Sequence, residues 1–148
     1  MSTDIFRRVA SDFFVAPQLG PEDFAAARAA GIRTIINNRP DGEAPGQLTD
    51  AQARELAQAQ GLDYVFVPVV SGGFTAAQVT AFADAIKSHA GPYLAYCRSG
   101  TRSCHMWAFA TAGDRPIETT VEAAAAAGYD LAPARPILVQ LARREQAE

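Results

Sequence analysis

Short apolar runs alternate along the chain with longer segments in which apolar residues recur every three or four positions. The short runs have the length of buried β-strands, and the longer segments have the period of amphipathic helices. Strands are predicted in DFFVAPQL, IRTIINN, YVFVPVV and YLAY, which begin at Asp12, Ile32, Tyr64 and Tyr93. Because helices separate the strands, the order predicts an α/β fold with a parallel-rich central sheet and helices on both faces.

Residues typical of helix ends mark where the predicted helices begin and stop. Pro21 stands near the first position of one helix, and Gly31 stands just past its end. Each of the next two helices opens with a threonine, Thr49 or Thr75, followed three residues later by glutamine, which is the spacing of a capping box. An almost wholly apolar helix then runs to Gly113, and its composition predicts burial. Two further helices are predicted around IETTVEAAAAAG and ARPILVQLARRE.

Length and charge limit the classes of protein to consider. A chain of 148 residues is long enough to bury one stable core, so we expect residues 1–148 to form a single domain. The net charge of −3 gives no overall basic field, which argues against nucleic acid or an anionic membrane as the main partner. No run approaches the ~20 apolar residues of a membrane span, and MSTDIFRRVASDFF lacks the continuous apolar stretch of a signal peptide. With only two cysteines, these features predict a cytoplasmic protein.

The segment YLAYCRSGTRS places one thiol where the fourth predicted strand runs directly into a helix. The N-terminus of a helix presents free N–H groups and a positive dipole end to whatever lies at such a turn. Cys97 lies there, and Gly100 permits the positive φ that turns successive N–H groups inward. Arg102, one helical turn on, can hold an oxyanion with two hydrogen bonds. We expect Arg98, Ser99, Thr101 and Ser103 to line the same anion site.

Cys97 is predicted to be a nucleophile, although a cysteine after an apolar strand is more often a small buried hydrophobic residue. Arginines at the end of a buried strand are costly unless an anion is present, and these neighbours favour the functional interpretation. A helix N-terminus and nearby arginine lower the ordinary thiol pKa of about 8.5. Cys104 lies inside the apolar helix and is predicted to be a core residue. The alternative is that it forms a disulfide with an oxidised Cys97.

Polar residues also follow the second predicted strand, whose carboxyl end should lie at the same edge of the sheet as Cys97. Asn37, Asn38 and Arg39 are candidates for substrate binding there. Neither histidine has partners with metal-ligand spacing, because His89 is at a helix end and His105 is in the apolar helix. We therefore expect neither a metal nor another cofactor.

Three stretches resemble a known family: VAPQLGPEDFAAARAAGIRTIINNRPDGEAPGQ, YVFVPV and YCRSGTRS. They are similar to the bacterial β-lactamase-hydrolase-like phosphatase-type domain family. The resemblance covers nearly the whole chain and is weaker in the last third. It implies the fold of tyrosine and dual-specificity phosphatases. For the reaction it implies either phosphatase or sulfurtransferase activity.

Loop length separates these two reactions. Phosphatases of this fold carry five residues between the cysteine and the arginine, which makes a cradle wide enough for phosphate. Cys97 and Arg102 enclose four residues, and Ser103 stands at the phosphatase position of the arginine. This shorter loop resembles that of rhodanese-type sulfurtransferases, including their Cys-Arg-Ser-Gly-x-Arg-Ser form. Its smaller nest favours a persulfide sulfur over a phosphoryl group.

A second discriminator is the general acid that phosphate-ester cleavage needs. The related phosphatases use an aspartate on the loop after the penultimate strand, but PVVSGGFT has no carboxylate. Sulfane transfer can proceed without a strong acid when the leaving group is a good one. Asp41 or Glu43 could supply a proton from another direction, although an aspartate-glycine pair is also an ordinary turn. We retain Asp41 as the candidate acid.

Three functions are compatible with these residues. The first is sulfur transfer through a Cys97 persulfide, and the second is a small phosphatase that forms a phosphocysteine at Cys97. The third is a non-catalytic module that binds an anion or carries persulfide to a partner. The expected substrate is a small anion such as thiosulfate, a persulfide or a phosphate ester, with a protein or a thiol as possible acceptor.

Overall fold

The computed structural model describes residues 5–147. The first four residues of MSTDIFRRVASDFF, the segment predicted not to be a signal peptide, lie outside the described residues. The strands are β1 (Arg7–Ala10), β2 (Phe13–Ala16), β3 (Thr34–Asn37), β4 (Asp63–Phe66) and β5 (Tyr93–Tyr96). The helices are α1 (Pro21–Ala29), α2 (Asp50–Ala59), α3 (Ala76–Ser88), α4 (Thr101–Ala110), α5 (Ile117–Ala126) and α6 (Arg135–Ala147). A short 3₁₀ turn over Ala132–Ala134 precedes α6.

The five strands form one sheet in the order β1-β2-β5-β3-β4. All neighbouring strands are parallel except β1, which pairs antiparallel with β2. This confirms the predicted α/β fold with a parallel-rich sheet. The sequence pattern missed β1, because Arg7 and Arg8 are exposed and only Val9 in this edge strand is buried. A four-residue strand with one buried position has no alternation to detect.

Helices cover both faces of the sheet, as predicted. One apolar cluster lies between the sheet and α1 with α2, and includes Phe24, Ile35 and Tyr96. The larger cluster lies on the opposite face, beneath α3 to α6, and includes Phe82 and Trp107. Within the described part of the chain, none of the helices has both the length and the apolar character needed to span a bilayer.

Both predicted capping boxes are present. The Thr49 hydroxyl accepts a hydrogen bond from the Gln52 N–H, and Gln52 Oε1 accepts one from the Thr49 N–H. Thr75 and Gln78 repeat the same exchange at α3. These bonds satisfy N–H groups that a helix start leaves free and fix where α2 and α3 begin.

The central strand β5 places the thiol turn between two other loops. Tyr96 pairs with Ala16 of β2 on one side and with Asn37 of β3 on the other. Because the three strands are parallel and in register, their carboxyl ends lie at the same level of the sheet. The residues that follow them therefore meet at one edge.

Candidate functional site

The thiol turn has the conformation that its glycine predicts. Cys97 directly follows β5, and the Gly100 N–H donates a hydrogen bond to its Sγ at 3.1 Å. Gly100 is the N-cap of α4 and has φ +96°, in the left-handed region that favours glycine. A Cβ at this position would overlap the Tyr129 hydroxyl, which donates to the Ser99 carbonyl at 3.1 Å. The glycine is therefore needed both for its φ and for this close approach.

Both thiols are buried, but their surroundings differ. Cys97 and Cys104 each have 0 % exposure. Cys104 lies in the apolar cluster beneath α4, and burial, with the nearby charge of Cys97, raises the pKa of its thiol to about 12. A thiol with that pKa is protonated and inert at neutral pH. Cys104 is therefore packed as a core residue, in agreement with the sequence prediction.

Arg102 is held from two sides. Its Nη1 and Nη2 donate to the two carboxylate oxygens of Glu43 at 2.8 Å each, and Nη1 also donates to the Val69 carbonyl at 2.7 Å. The hydrogen bond to Glu43 is the main cause that raises the pKa of the guanidinium, and the Cys97 sulfur adds to it. A guanidinium has five N–H donors, and these bonds use three of them. The guanidinium also lies beside the Cys97 sulfur, so Arg102 lies between Glu43 and the thiol.

Glu43 links Arg102 to a second buried arginine. Arg39 Nε donates to Glu43 Oε1 at 2.9 Å, so one carboxylate lies between two guanidinium groups. Hydrogen bonds from Arg102 and Arg39, opposed by burial, lower the pKa of Glu43 from 4.5 to about 2. Glu43 is therefore ionised at neutral pH and holds no proton to donate. It positions Arg102 instead.

Asp41, the predicted general acid, lies at the start of α2. Its Oδ1 accepts a hydrogen bond from the Asp50 N–H at 2.8 Å, at the first residue of α2. A carboxylate there satisfies a free N–H group and opposes the positive end of the helix. Among the described residues no hydrogen bond connects Asp41 with the Cys97 loop. Its assignment as a general acid stays a prediction.

The two asparagines at the end of β3 bind protein groups. Asn38, which is 0 % exposed, donates to the Val67 carbonyl at 2.8 Å and accepts from the Ser103 hydroxyl at 2.9 Å. Asn37 donates to the Tyr64 hydroxyl at 3.0 Å. These bonds tie the loop after β3 to β4 and α4. Substrate binding by Asn38 and Ser103 stays a prediction, and in the structure their side chains bind each other.

The exposed part of the loop consists of Arg98, Ser99 and Thr101. The hydroxyls of Ser99 and Thr101 lie 3.0 Å apart and share a hydrogen bond. The Arg98 carbonyl accepts a hydrogen bond from the Gln18 N–H at 3.2 Å, and the Arg98 residue is exposed. These three side chains can meet a ligand that approaches the thiol loop.

Gln18, which the sequence analysis did not single out, is hydrogen-bonded to the group formed by Arg39, Glu43 and Arg102. Its Oε1 accepts from Arg39 Nη1 at 3.0 Å. A glutamine two residues after a strand carries no chemical signal of its own. Its position after β2, the other neighbour of β5, was the available clue, but it required the strand order.

The loop after β4 adjoins Arg102 through the Val69 carbonyl and then turns outward. Val70 is 62 % exposed, and Ser71 and Gly72 are also exposed. Phe74, at the end of the loop, stacks on the half-exposed ring of His105 with centroids 5.2 Å apart. The resemblance to phosphatases would place a general acid on this loop, but the loop has no carboxylate and supplies a carbonyl to Arg102. In residues 5–147 no three histidine, cysteine or carboxylate side chains are grouped to hold a metal.

Comparison with known proteins agrees with this architecture. Residues 5–114 match the family described as the phosphatase-like domain of beta-lactamase hydrolase-like protein. The chain belongs to this phosphatase-like domain family. It is 37 % identical over 111 residues to the beta-lactamase hydrolase-like protein of Agrobacterium fabrum (strain C58), covering 75 % of this chain. The chain spans 26 % of the length of that relative.

Solved structures extend the likeness of this phosphatase-like domain beyond the matched segment. A candidate phosphatase from Neisseria meningitidis Z2491 is 31 % identical, with a TM-score of 0.81 over 93 % of this chain and 98 % of that one. PTPMT1 has a TM-score of 0.73 at 14 % identity, and the alignment covers 96 % of each chain. The second likeness concerns the fold alone. Together they support the predicted tyrosine and dual-specificity phosphatase-like fold.

Proposed function

We propose that this phosphatase-like domain is a thiol-dependent sulfurtransferase that carries sulfane sulfur on Cys97. The observation that carries the proposal is the loop of four residues between Cys97 and Arg102, one residue shorter than the phosphatase spacing. A shorter loop encloses a smaller nest of N–H groups, and the Gly100 N–H already lies 3.1 Å from the Cys97 sulfur. A single additional sulfur atom fits such a nest better than a tetrahedral phosphoryl group does.

The charge of the cluster supports a small anionic substrate. Two arginines with exposures of only 4 % and 7 %, Arg39 and Arg102, share the single carboxylate of Glu43. Buried charges are costly unless they are paired, so the second positive charge favours an anion at this edge of the sheet. Arg102, which lies beside the Cys97 sulfur, is placed to hold such an anion at the thiol. Thiosulfate has the required charge and oxygens.

The reaction needs no external oxidant or acid. The Cys97 thiolate attacks the sulfane sulfur of thiosulfate, a new S–S bond forms, and the electron pair of the broken S–S bond leaves with sulfite. An acceptor thiolate then attacks the terminal sulfur of the persulfide, and the electron pair returns to the Cys97 thiolate. Sulfite leaves as a stable anion without a proton, which is compatible with the loop after β4 containing no carboxylate.

The second candidate function is phosphate-ester hydrolysis through a phosphocysteine at Cys97. It is favoured by the comparisons, since the family is phosphatase-like and the similar structure from Neisseria meningitidis is a candidate phosphatase. Hydrolysis would need a proton donor for the leaving oxygen. Glu43 is unsuitable because of its low pKa, so Asp41 would have to leave the Asp50 N–H to act.

Intact mass measurement separates the functions. The protein is incubated with thiosulfate and, in a separate sample, with an aryl phosphate, and both samples are quenched and weighed. We expect the mass of one sulfur atom after thiosulfate and no phosphoryl adduct. Phosphate release at enzymatic rates without sulfur uptake would replace this proposal with the phosphatase. Absence of both adducts and of turnover would favour the non-catalytic anion-binding module.

Cys97→Ser is the control variant. It should lose the sulfur adduct and all turnover while keeping the fold, because the hydroxyl is not an adequate nucleophile in a site built for a thiolate. A sulfur adduct that persists in Cys97→Ser and maps to Cys104 would contradict the assignment of the nucleophile.

A further inference from the structure

Two side chains from the loops on either side of β5 meet across the end of that strand. Tyr96 of β5 is level with Ala16 of β2 and with Asn37 of β3. Gln18 follows β2 by two residues, and Arg39 follows β3 by two residues. Arg39 Nη1 donates to Gln18 Oε1 at 3.0 Å. The bridge therefore spans the width of the strand that leads into the thiol loop.

Protein groups hold the bridge at both ends. The Gln18 N–H donates to the Arg98 carbonyl at 3.2 Å, and its Nε2 donates to the Leu19 carbonyl at 3.0 Å. The second bond fixes which amide atom is presented to Arg39. On the other side, Arg39 Nε donates to Glu43 Oε1 at 2.9 Å. Gln18, Arg39, Glu43 and Arg102 form a hydrogen-bonded rim beside the thiol loop, and Gln18 is its neutral member.

The neutral amide oxygen of Gln18, which accepts a hydrogen bond from the buried Arg39 guanidinium, can be replaced by the oxygen of an anion. Hydrogen bonds from arginine to an anionic oxygen are about twice as strong as those to an amide oxygen. Glu43 supplies one negative charge for two arginines, so an incoming anion that takes the place of Gln18 Oε1 would pair the second charge. An uncharged molecule gains nothing from the same exchange.

We infer that Gln18 determines which molecules reach Cys97. In the free protein its amide oxygen accepts a hydrogen bond from Arg39, and the anionic group of a substrate displaces it. Anions therefore reach the thiol more readily than uncharged molecules of the same size. Gln18 is a positioning residue in this scheme and takes no part in bond making. The inference rests on the proposed function only in that Cys97 is the reacting thiol, and it does not depend on sulfur transfer.

Alkylation of Cys97 by iodoacetate and by iodoacetamide tests this inference. The two reagents are similar in size and react in the same way with a thiolate, but only iodoacetate is charged. Trypsin cleaves after Arg98 and Arg102, so peptide mass mapping separates labelling of Cys97 from labelling of Cys104. Dividing the iodoacetate rate by the iodoacetamide rate removes any general change in thiolate reactivity.

The variants are Gln18→Glu, Gln18→Ala and the control Gln58→Glu, which makes the same charge change at an exposed position on α2. In Gln18→Glu a permanent carboxylate on Arg39 should lower the rate ratio about tenfold. Gln18→Ala should raise the absolute iodoacetate rate, since the amide oxygen no longer competes for Arg39 Nη1. Gln58→Glu should leave the ratio as in the parent protein.

The inference is overturned if Gln18→Glu and Gln58→Glu have the same ratio, or if Gln18→Ala leaves the iodoacetate rate unchanged. Cys97 that is unlabelled by either reagent in Gln18→Ala would also overturn it, because the thiol would then be closed by something else. Thiosulfate loading is measured separately. If the alkylation ratios are as expected but the protein gains no sulfur from thiosulfate, the sulfurtransferase proposal is rejected and the role of Gln18 still holds.

Discussion

The carboxylate of Glu43 faces the guanidinium of Arg102 through two hydrogen bonds of 2.8 Å, although the two residues lie 59 positions apart in the chain. This pairing orients the arginine, which also interacts with the Cys97 sulfur. It also removes Glu43 from the candidates for a proton donor, because the same bonds keep its carboxylate ionised. The position of one arginine thus depends on a loop that follows another strand.

Glu43→Gln should weaken the fold in a pH-dependent way. The pKa of Glu43 is lowered from 4.5 to about 2, so its stabilising effect is complete above pH 4.5 and is lost as the pH falls toward 2. With its side chain 26 % exposed, we expect the substitution to cost about 1–2 kcal/mol at pH 7 after allowing for solvent screening. Urea unfolding of both proteins between pH 7 and pH 2 measures this. A difference that stays constant over that range would contradict the prediction.

Arg102→Lys should be nearly as damaging as Arg102→Ala. A lysine has no planar fork, so it cannot bind both oxygens of Glu43, the Val69 carbonyl and a substrate oxyanion at once. We expect kcat/KM to fall at least about a hundredfold in both variants, which corresponds to roughly 3 kcal/mol of lost charge-assisted bonding. Steady-state kinetics with the substrate identified by mass measurement tests this. A lysine variant with near-parental activity would show that charge alone is sufficient.

Arg98→Ala should act mainly on KM. The Arg98 side chain is exposed, and only its carbonyl takes part in the described hydrogen bonding. It can attract an anionic substrate but is not fixed against the reacting atoms. We expect KM to rise severalfold, to rise less at high salt, and kcat to change little. A fall in kcat equal to that of Arg102→Ala would remove this division of roles.

Cys104→Ser should keep most of the activity and lose stability. Cys104 is fully buried in the apolar cluster, and a hydroxyl there costs about 1–3 kcal/mol unless it finds a partner. Thermal unfolding and turnover are measured on the same preparation. A folded but inactive Cys104→Ser would indicate that Cys104 takes part in the redox chemistry of Cys97.

Gly100→Ala should be more harmful than an equivalent change at Gly72. Both glycines have positive φ, +96° and +76°, but a Cβ at Gly100 would overlap Tyr129, while at Gly72 it would meet nothing within 4 Å. Backbone strain alone costs about 1–2 kcal/mol at either position, and the overlap should add about 1–3 kcal/mol at Gly100. Urea unfolding compares the two variants. Equal losses would mean that the contact with Tyr129 relaxes without cost.

Local signals in the sequence were sufficient for four of the five strands, for the helices and for the thiol turn. Apolar runs of strand length, helix-length periodicity and the threonine-glutamine caps depend on residues close together in the chain, and the structure contains the elements they predict. The spacing of Cys97, Gly100 and Arg102 is also local, because all three belong to one turn and the first residues of one helix. The edge strand β1 was missed since its pairing with β2 leaves almost no burial pattern.

Tertiary structure decided which side chains contact one another around that turn. Sheet order places β5 between β2 and β3, and this brings Gln18 and the loop with Asp41 and Glu43 to the thiol edge. The sequence contains both carboxylates two positions apart, in a turn where either could face the site. Packing assigned Asp41 to the N–H of Asp50 and Glu43 to two buried arginines. Which carboxylate faces the arginines depends on charged groups that come together only in the folded sheet. A local sequence pattern therefore cannot predict it.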